Sequence, residues 1–114
     1  MNEARSAILV LGRDDPSETT LRTVEEFDEV FVVERAVPDP ADRYIIDEER
    51  AYRDATQRLT AVLTRLRTDD VHATGIVGDP DPTSALADAR AFFPGTHEVV
   101  AERAPEPHRL LGIF

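Results

Sequence analysis

The 114-residue sequence contains no cysteine, and this absence excludes disulfide bonds, thiolate nucleophiles and thiolate metal sites. It also lacks any apolar run near the roughly 18 residues that a membrane-spanning helix requires. No basic segment followed by an apolar segment stands at its start, as a secretory signal peptide would require. Together with the length, these absences predict a single cytoplasmic domain over residues 1–114 with one hydrophobic core.

Lysine is absent too, so that all 13 basic residues are arginine, and the net charge is −10. The acidic residues are scattered along the chain. A dispersed acidic surface of this kind is typical of proteins from salt-rich cytoplasm, where salt screens the repulsion between carboxylates. The alternative is an acidic face for a basic partner, which is weaker because no block of about five like charges occurs. Without a basic stripe, nucleic-acid binding is not expected.

Short apolar runs alternate with amphipathic stretches along the chain. Strands are predicted at residues 6–12, 29–37, 71–77 and 97–102. Three helices are predicted. The first begins at Asp15, the second covers residues 41–66 with irregular turns before Glu48, and the third covers residues 82–93. This alternation predicts βαβ units and an α/β fold, in which an open, mainly parallel sheet of four or five strands carries helices on both faces.

Capping residues predict where two of the helices begin. Asp15 is predicted as the N-cap of the first helix, with Pro16 at its first position and Glu18 completing a capping box. Asp81 and Pro82 predict the start of the third helix in the same way, because proline at the first position loses no hydrogen bond.

The stretch over residues 71–89 has the pattern of a strand, a turn and a helix. Ile76 and Val77 indicate a buried strand, and Gly78 permits a sharp exit from it. Four features together resemble the universal stress protein family. They are the opening AILVLG, the valine-rich second strand before a long helix, the GDPDPTSALADA turn and helix, and the later HEVVAE. That family is a branch of the adenine-nucleotide α-hydrolase-like fold. The resemblance covers nearly the whole chain and implies a Rossmann-like sheet with strand order 3-2-1-4.

The resemblance does not extend to the family's nucleotide site. Nucleotide-binding members have an aspartate just after the first strand, and spaced glycines followed by Gly-Ser or Gly-Thr after the fourth. Here Arg13 or Asp14 stands near the aspartate position, but Glu102 stands where the first glycine is expected, and only Gly112 follows. Phosphates are bound by backbone N–H groups of glycine-rich turns and helix N-termini. No competent ATP site and no cofactor are therefore expected.

A candidate ligand site follows from the predicted sheet, because ligands of open parallel sheets lie outside the carboxyl ends of the strands. The residues predicted there are Gly12, Arg13, Asp14, Val37, Gly78, Asp79, Glu102 and Arg103. Arg13 and Arg103 are candidates for holding a small anion. The alternative, which is favoured, is that they pair with Asp14 and Glu102 on a solvated rim.

Other residues with chemical potential have a structural explanation. Asp79 and Asp81 are candidates for acid–base or magnesium chemistry, but their proline neighbours and their place before a helix favour turn and capping roles. Thr83 and Ser84 fall in the first turn of a helix, without the motif of a nucleophilic serine. Surface or strand-end roles are expected for the histidines, which lack metal-ligand spacing: His72, His97 and His108. No catalytic residue and no metal ligand is predicted.

Four large apolar residues stand at the end of the sequence: Leu110, Leu111, Ile113 and Phe114. Chain ends are usually polar, so this segment is expected to pack against protein. Either it covers the edge of its own sheet, or it pairs with a second copy of the chain, as the last strand does in dimers of the family that the sequence resembles. The prediction is a homodimer formed through this tail.

These observations predict a non-catalytic stress-response or regulatory module that acts by binding its own copy, a protein partner or a small ligand. A second hypothesis is a protein that binds or hydrolyses a nucleotide through an altered form of the family's site. A third is a structural subunit that pairs with a longer homologue.

Overall fold

Two apolar strands form the centre of a parallel sheet in the computed structural model, which describes residues 5–12, 14–38 and 48–101. In these residues the order of elements is β1 (Ser6–Leu11), α1 (Glu18–Glu25), β2 (Glu29–Arg35), α2 (Glu48–Thr68), β3 (His72–Gly78), α3 (Pro82–Phe92) and β4 (Glu98–Ala101). The strands are all parallel and lie in the order β3-β2-β1-β4. The predicted fold class and strand order are therefore confirmed.

The core lies on both faces of the sheet because every residue of a central strand faces a helix on one side or the other. Leu9 and Val32 pack with α1 and α2 on one face, whereas Ile8 and Phe31 pack with α3 on the other. Helices on both faces, as predicted, are thus observed. None of the helices in the described ranges is long and apolar enough to cross a membrane.

Helix α1 begins later than predicted. Its N-cap is Ser17, whose hydroxyl accepts a hydrogen bond from the N–H of Thr20 at 3.2 Å. The prediction of Asp15 as the cap was wrong: the helix begins at Glu18, and the hydroxyl of Ser17 supplies the cap oxygen. For α3 the prediction is confirmed: Asp81 is the N-cap and Pro82 stands at the start of the helix.

Replacing Ser17 with alanine is expected to lower the free energy of unfolding by about 1 kcal/mol, since one N-terminal N–H of α1 would lose its acceptor. Replacing Asp15 with alanine is expected to change stability little, because that side chain does not cap the helix. Urea unfolding of both variants measures the difference. A larger loss in the Asp15 variant than in the Ser17 variant would contradict the assignment of the cap.

Several predicted boundaries move by one or more residues. Helix α1 ends at Glu25, and Phe27 is buried in the turn that follows it. Strand β2 ends at Arg35 instead of residue 37, α3 ends at Phe92 instead of residue 93, and β4 covers only residues 98–101. Helix α2 begins at Glu48, and the preceding predicted turns at residues 41–47 lie outside the described residues.

Strand β3 differs from the predicted buried strand. Ile76 and Val77 are only half-buried, because β3 lies at the edge of the sheet in the described residues. One edge of β3 pairs with β2, and its outer edge has no neighbouring strand in the ranges that the structure describes. The apolar sequence of β3 is therefore that of an edge strand whose outer side remains partly exposed.

Candidate functional site

The carboxyl ends of β1, β2 and β3 lie side by side, and two charged residues end the central strand among them. Glu34 is in register with Leu11 and Val77, and Arg35 is in register with Gly78. Successive side chains of a strand point to opposite faces. Glu34 accordingly faces α2, and Arg35 reaches the loop before α3.

Glu34 is a buried acid, with 1% of its surface exposed. The Nε atom of Arg58, on α2, donates to Oε2 of Glu34 at 3.3 Å. Burial raises the pKa of Glu34 from 4.5 to about 7, against the lowering effect of the Arg58 and Arg35 charges, and the nearby Asp15 charge adds to the increase. The carboxyl group therefore changes its charge near neutral pH.

The same arginine of α2 also fixes the backbone at the end of β2. Nη2 of Arg58 donates to the carbonyl oxygen of Arg35 at 3.2 Å. One guanidinium thus joins a buried carboxylate to the last carbonyl group of the central strand. This bidentate role requires the planar, forked arrangement of donors that arginine has and lysine lacks.

The guanidinium of Arg35 lies over Gly12, at the end of β1. A Cβ atom at Gly12 would stand 2.5 Å from Nη2 of Arg35, so a larger residue there would displace the end of the Arg35 side chain. Nη1 of Arg35 donates to the carbonyl oxygen of Pro80 at 2.8 Å. Its Nε atom is buried and has no hydrogen-bond partner among the residues that the structure describes. Arg35 therefore fills the space outside the ends of β1 and β3.

The N-termini of the two helices nearest this position are capped by the chain itself. Ser17 caps α1, and Oδ2 of Asp81 accepts from the N–H of Ser84 at 2.9 Å at the start of α3. The hydrogen bonds from the N–H and hydroxyl of Ser84 lower the pKa of Asp81, and the Arg35 charge contributes. One N-terminal N–H of each of these helices is thus already bound to an oxygen atom of this chain.

The structure brings together only part of the predicted crevice. Gly12 lies beneath Arg35, and Gly78 stands beside Arg35 in the adjacent strand. Val37 is half-buried after β2, where its N–H donates to the carbonyl oxygen of Arg35 at 2.9 Å. The two acids of the loops are exposed: Asp14 and Asp79. The remaining predicted residues lie outside the described residues: Arg13, Glu102 and Arg103. These include both arginines that were candidates for holding a small anion.

Glu34, Arg35 and Arg58 were missed by sequence reasoning. The available signal was the adjacent acid and base at the end of an otherwise apolar strand, EVFVVER. A parallel strand covered on both faces has no solvent for two charges, so such a pair requires partners from other elements. The partner of Glu34 lies 24 residues away along the chain, and the carbonyl that Arg35 binds lies 45 residues away.

The predicted turn and capping roles of the GDPDP segment are observed. Oδ1 of Asp79 accepts from the N–H of Asp81 at 2.8 Å, and the hydroxyl of Ser84 donates to Oδ2 of Asp81 at 3.0 Å. Both carboxylates are therefore engaged within their own turn. Among the described residues, no group of three histidine, aspartate or glutamate side chains is placed to hold a metal ion.

His97 belongs to a stack of rings beneath α3. Its ring lies 3.9 Å from that of Phe93, which in turn lies 5.3 Å from that of Phe31. Nδ1 of His97 is hydrogen-bonded with the hydroxyl of Ser6 at 2.6 Å, and Nε2 with the carbonyl oxygen of Pro94 at 3.0 Å. The strand-end role expected for it is thus observed. His72 is exposed at the start of β3, and His108 lies outside the described residues.

Two open depressions lie away from the carboxyl ends of the strands. One of about 530 Å³ stands at the amino ends of β2 and β3, with Glu29, Arg67 and His72 in its lining. The other, of about 470 Å³, runs along the outer edge of β3 between α2 and α3. Its lining residues are Tyr52, Thr56, Leu59, Gly75, Ile76, Val77, Asp88 and Phe92, which together are called the β3-edge groove below.

No protein-family model matches the chain, and no curated protein matches it either. Among solved structures, the chain resembles that of a universal stress protein from Archaeoglobus fulgidus, with a TM-score of 0.52 and 12% sequence identity. The similarity covers 85% of this chain and 98% of that one. The chain therefore has the fold of a universal stress protein, as its sequence had suggested.

Proposed function

We propose that this chain is a non-catalytic regulatory or stress-response module with a universal stress protein fold, and that it acts by binding protein, either a second copy or a partner. In this proposal the chain has no competent site for ATP at the ends of its strands. The dispersed acidic surface with arginine as its only strong base fits work in a salt-rich cytoplasm.

The observation that carries the proposal is the guanidinium of Arg35 lying over Gly12. A nucleotide at the carboxyl ends of the strands must approach the backbone there, where glycine allows close contact. Here the side chain of Arg35 already makes that contact and is fixed by the carbonyl group of Pro80. The space that a phosphate would need is taken by a residue of the central strand.

The charges around Arg35 support the same conclusion. Glu34 and Asp15 are close enough to influence each other, and Asp81 is influenced by Arg35 from the other side. The charges of these carboxylates would repel a triphosphate that approached Arg35. The residues present therefore do not fit an adenine nucleotide, and binding by the family's usual arrangement is not expected.

A thermal-shift titration in high-salt buffer tests this proposal. ATP, ADP and AMP are each added with and without Mg²⁺. Selective binding to the folded state raises the melting temperature in a saturable way. We expect no saturable increase with any of the three nucleotides. An increase with ATP and Mg²⁺ would contradict the proposal, and hydrolysis would then be the next measurement.

A second candidate function is nucleotide binding through an altered site, and the charge of Arg35 is the observation that favours it. A guanidinium is a strong donor to phosphate, and Nε of Arg35 has no partner among the described residues. The Arg35→Ala variant separates the two functions. If Arg35 binds phosphate, any nucleotide-induced shift in melting temperature disappears in the variant. If Arg35 only fills the space over Gly12, the wild type gives no shift to lose.

A further inference from the structure

The β3-edge groove has the composition of a protein interface. Two of the three exposed large hydrophobic residues of the described ranges line it, Tyr52 with 59% and Phe92 with 69% of its surface exposed. Asp88 is the one charged residue in its lining, in a chain of which 32% of residues are charged. Enrichment in aromatic residues and depletion of charge distinguish the centres of protein interfaces from other surface.

The floor of the groove is the outer edge of β3, and the residues of this strand include none of the types that protect an edge strand. The strand HATGIVG contains no proline, lysine or acidic residue, and no strand pairs with its outer side in the described ranges. Unprotected edges of this kind pair with another strand. By contrast, the opposite edge of the sheet in the described ranges is the four-residue strand β4, which begins with the exposed Glu98.

We propose that the β3-edge groove is the surface through which two copies of this chain form a dimer, with β3 pairing antiparallel to β3 of the second copy. The inference rests on the proposed function, in which the chain acts by binding protein, and it names the surface and the partner. It differs from the dimer predicted from the sequence, which would use the tail at residues 110–114.

Symmetry and charge both favour a second copy as the occupant. A two-fold axis beside Gly75, the middle residue of β3, would set the two strands antiparallel and place α2 against α2 and α3 against α3. Two chains that each carry a charge of −10 repel least where their surfaces carry little charge, and Asp88 is the one charged residue in the lining of this groove. A basic partner would instead be attracted to the acidic faces.

The size of the surface is adequate for a dimer. A seven-residue strand is about 23 Å long, and a sheet with a helix on either side is about 30 Å thick, giving a face of about 700 Å². Stable interfaces of standard size bury about 800 Å² on each partner. The pairing would continue the sheet into eight strands across the two-fold axis.

Sedimentation equilibrium or light scattering over a range of protein concentrations tests the inference. The test variant is Tyr52→Glu/Phe92→Glu, which places like charges on both sides of the groove at positions exposed enough to leave the fold intact. We expect the wild type to be a dimer and the variant to dissociate with a dissociation constant roughly 100-fold higher. Circular dichroism spectra and thermal melts confirm that the variant is folded.

A matched control adds the same two charges to the same two helices. Gln57 and Ala87 are exposed and do not line the groove, so Gln57→Glu/Ala87→Glu should dimerise as the wild type does. A third variant lacks residues 110–114 and should also remain a dimer.

Three results would overturn the inference, and they differ in what else they affect. Equal weakening in the test and control variants would show a general charge effect. A monomer on removal of residues 110–114, with the groove variant still dimeric, would assign the dimer to the tail and leave the proposed function standing. A wild type that is monomeric at high concentration would remove both this inference and the homodimer from the proposed function.

Discussion

Replacing Arg58 with methionine is expected to lower the free energy of unfolding by about 3 kcal/mol near pH 8.5 and by about 1 kcal/mol near pH 5. Methionine keeps most of the side-chain volume but removes the guanidinium that binds Glu34 and the carbonyl group of Arg35. Above neutral pH the variant leaves a buried carboxylate without its partner. At low pH the carboxyl group is uncharged, and only the hydrogen bonds are lost.

The direction of this pH dependence follows from the raised pKa of Glu34. In the folded chain its pKa is about 7, compared with an ordinary value of 4.5, so the folded state holds the proton more tightly. Its contribution to stability is therefore complete below about pH 4.5 and is lost as the pH rises through about 7. The difference between the two pKa values corresponds to about 3 kcal/mol.

Two further variants control the Arg58 experiment, with urea unfolding as a function of pH as the measurement. Glu34→Gln keeps the shape of the side chain without its charge, and it should remove the fall in stability between about pH 5 and 8.5 that is specific to Glu34. Arg65→Met removes an arginine of the same helix whose ion pairs with Glu18 and Asp69 are exposed, and it should leave stability nearly unchanged. An Arg58→Met loss that is equal at the two pH values would contradict this account of Glu34.

Replacing Phe31 with alanine is expected to lower the free energy of unfolding by about 3 to 4 kcal/mol. Phe31 is 7% exposed on the central strand β2, and its ring supports the stack formed by Phe93 and His97. Alanine would leave a cavity between β2 and α3 and would remove the face on which Phe93 rests. The loss should therefore exceed that of an isolated apolar contact.

Phe31→Leu is the matched control for this prediction, because leucine fills much of the same volume but cannot stack. It should cost about 1 to 1.5 kcal/mol, measured by urea unfolding beside the alanine variant. The NMR signals of the His97 ring should shift in both variants if the stack positions that ring. A loss below 1 kcal/mol for the alanine variant would show that Phe31 is not a central part of the core.

The order of elements was predictable because strands and helices leave different periods in the sequence. The continuous apolar run of β1 and the apolar positions of α2 at Ala55, Leu59, Val62 and Leu66 define a covered strand and a one-sided helix without reference to any partner. The cap at Asp81 was predictable for the same reason, since cap and helix are adjacent. These are local properties of the chain.

Errors arose where two local solutions compete or where tertiary position decides. The start of α1 was predicted at Asp15, but a second capping side chain follows two residues later, and the helix uses Ser17. The burial of Ile76 and Val77 depends on whether β3 lies in the middle or at the edge of the sheet, and an apolar run alone does not distinguish these positions.

The contacts at the strand ends could not be predicted because each joins elements far apart in sequence. Gly12 and Gly78 were placed correctly at the carboxyl edge, but nothing near them in the sequence indicates that Arg35 covers the first and stands beside the second. In the same way, Glu34 becomes a buried titratable group only through the packing of α2. Residue types and local spacing carry no information on such pairings.

An NMR titration of the folded, ¹⁵N-labelled chain with millimolar ATP and Mg²⁺ tests most directly the claim that the strand ends are closed to nucleotides. The amide signals of Gly12 and Gly78 stand on either side of Arg35 and report on anything that enters there. We expect both signals to stay in place, in the wild type, throughout the titration. Saturable movement of these two signals, lost in the Arg35→Ala variant, would contradict the account and establish a nucleotide site at Arg35.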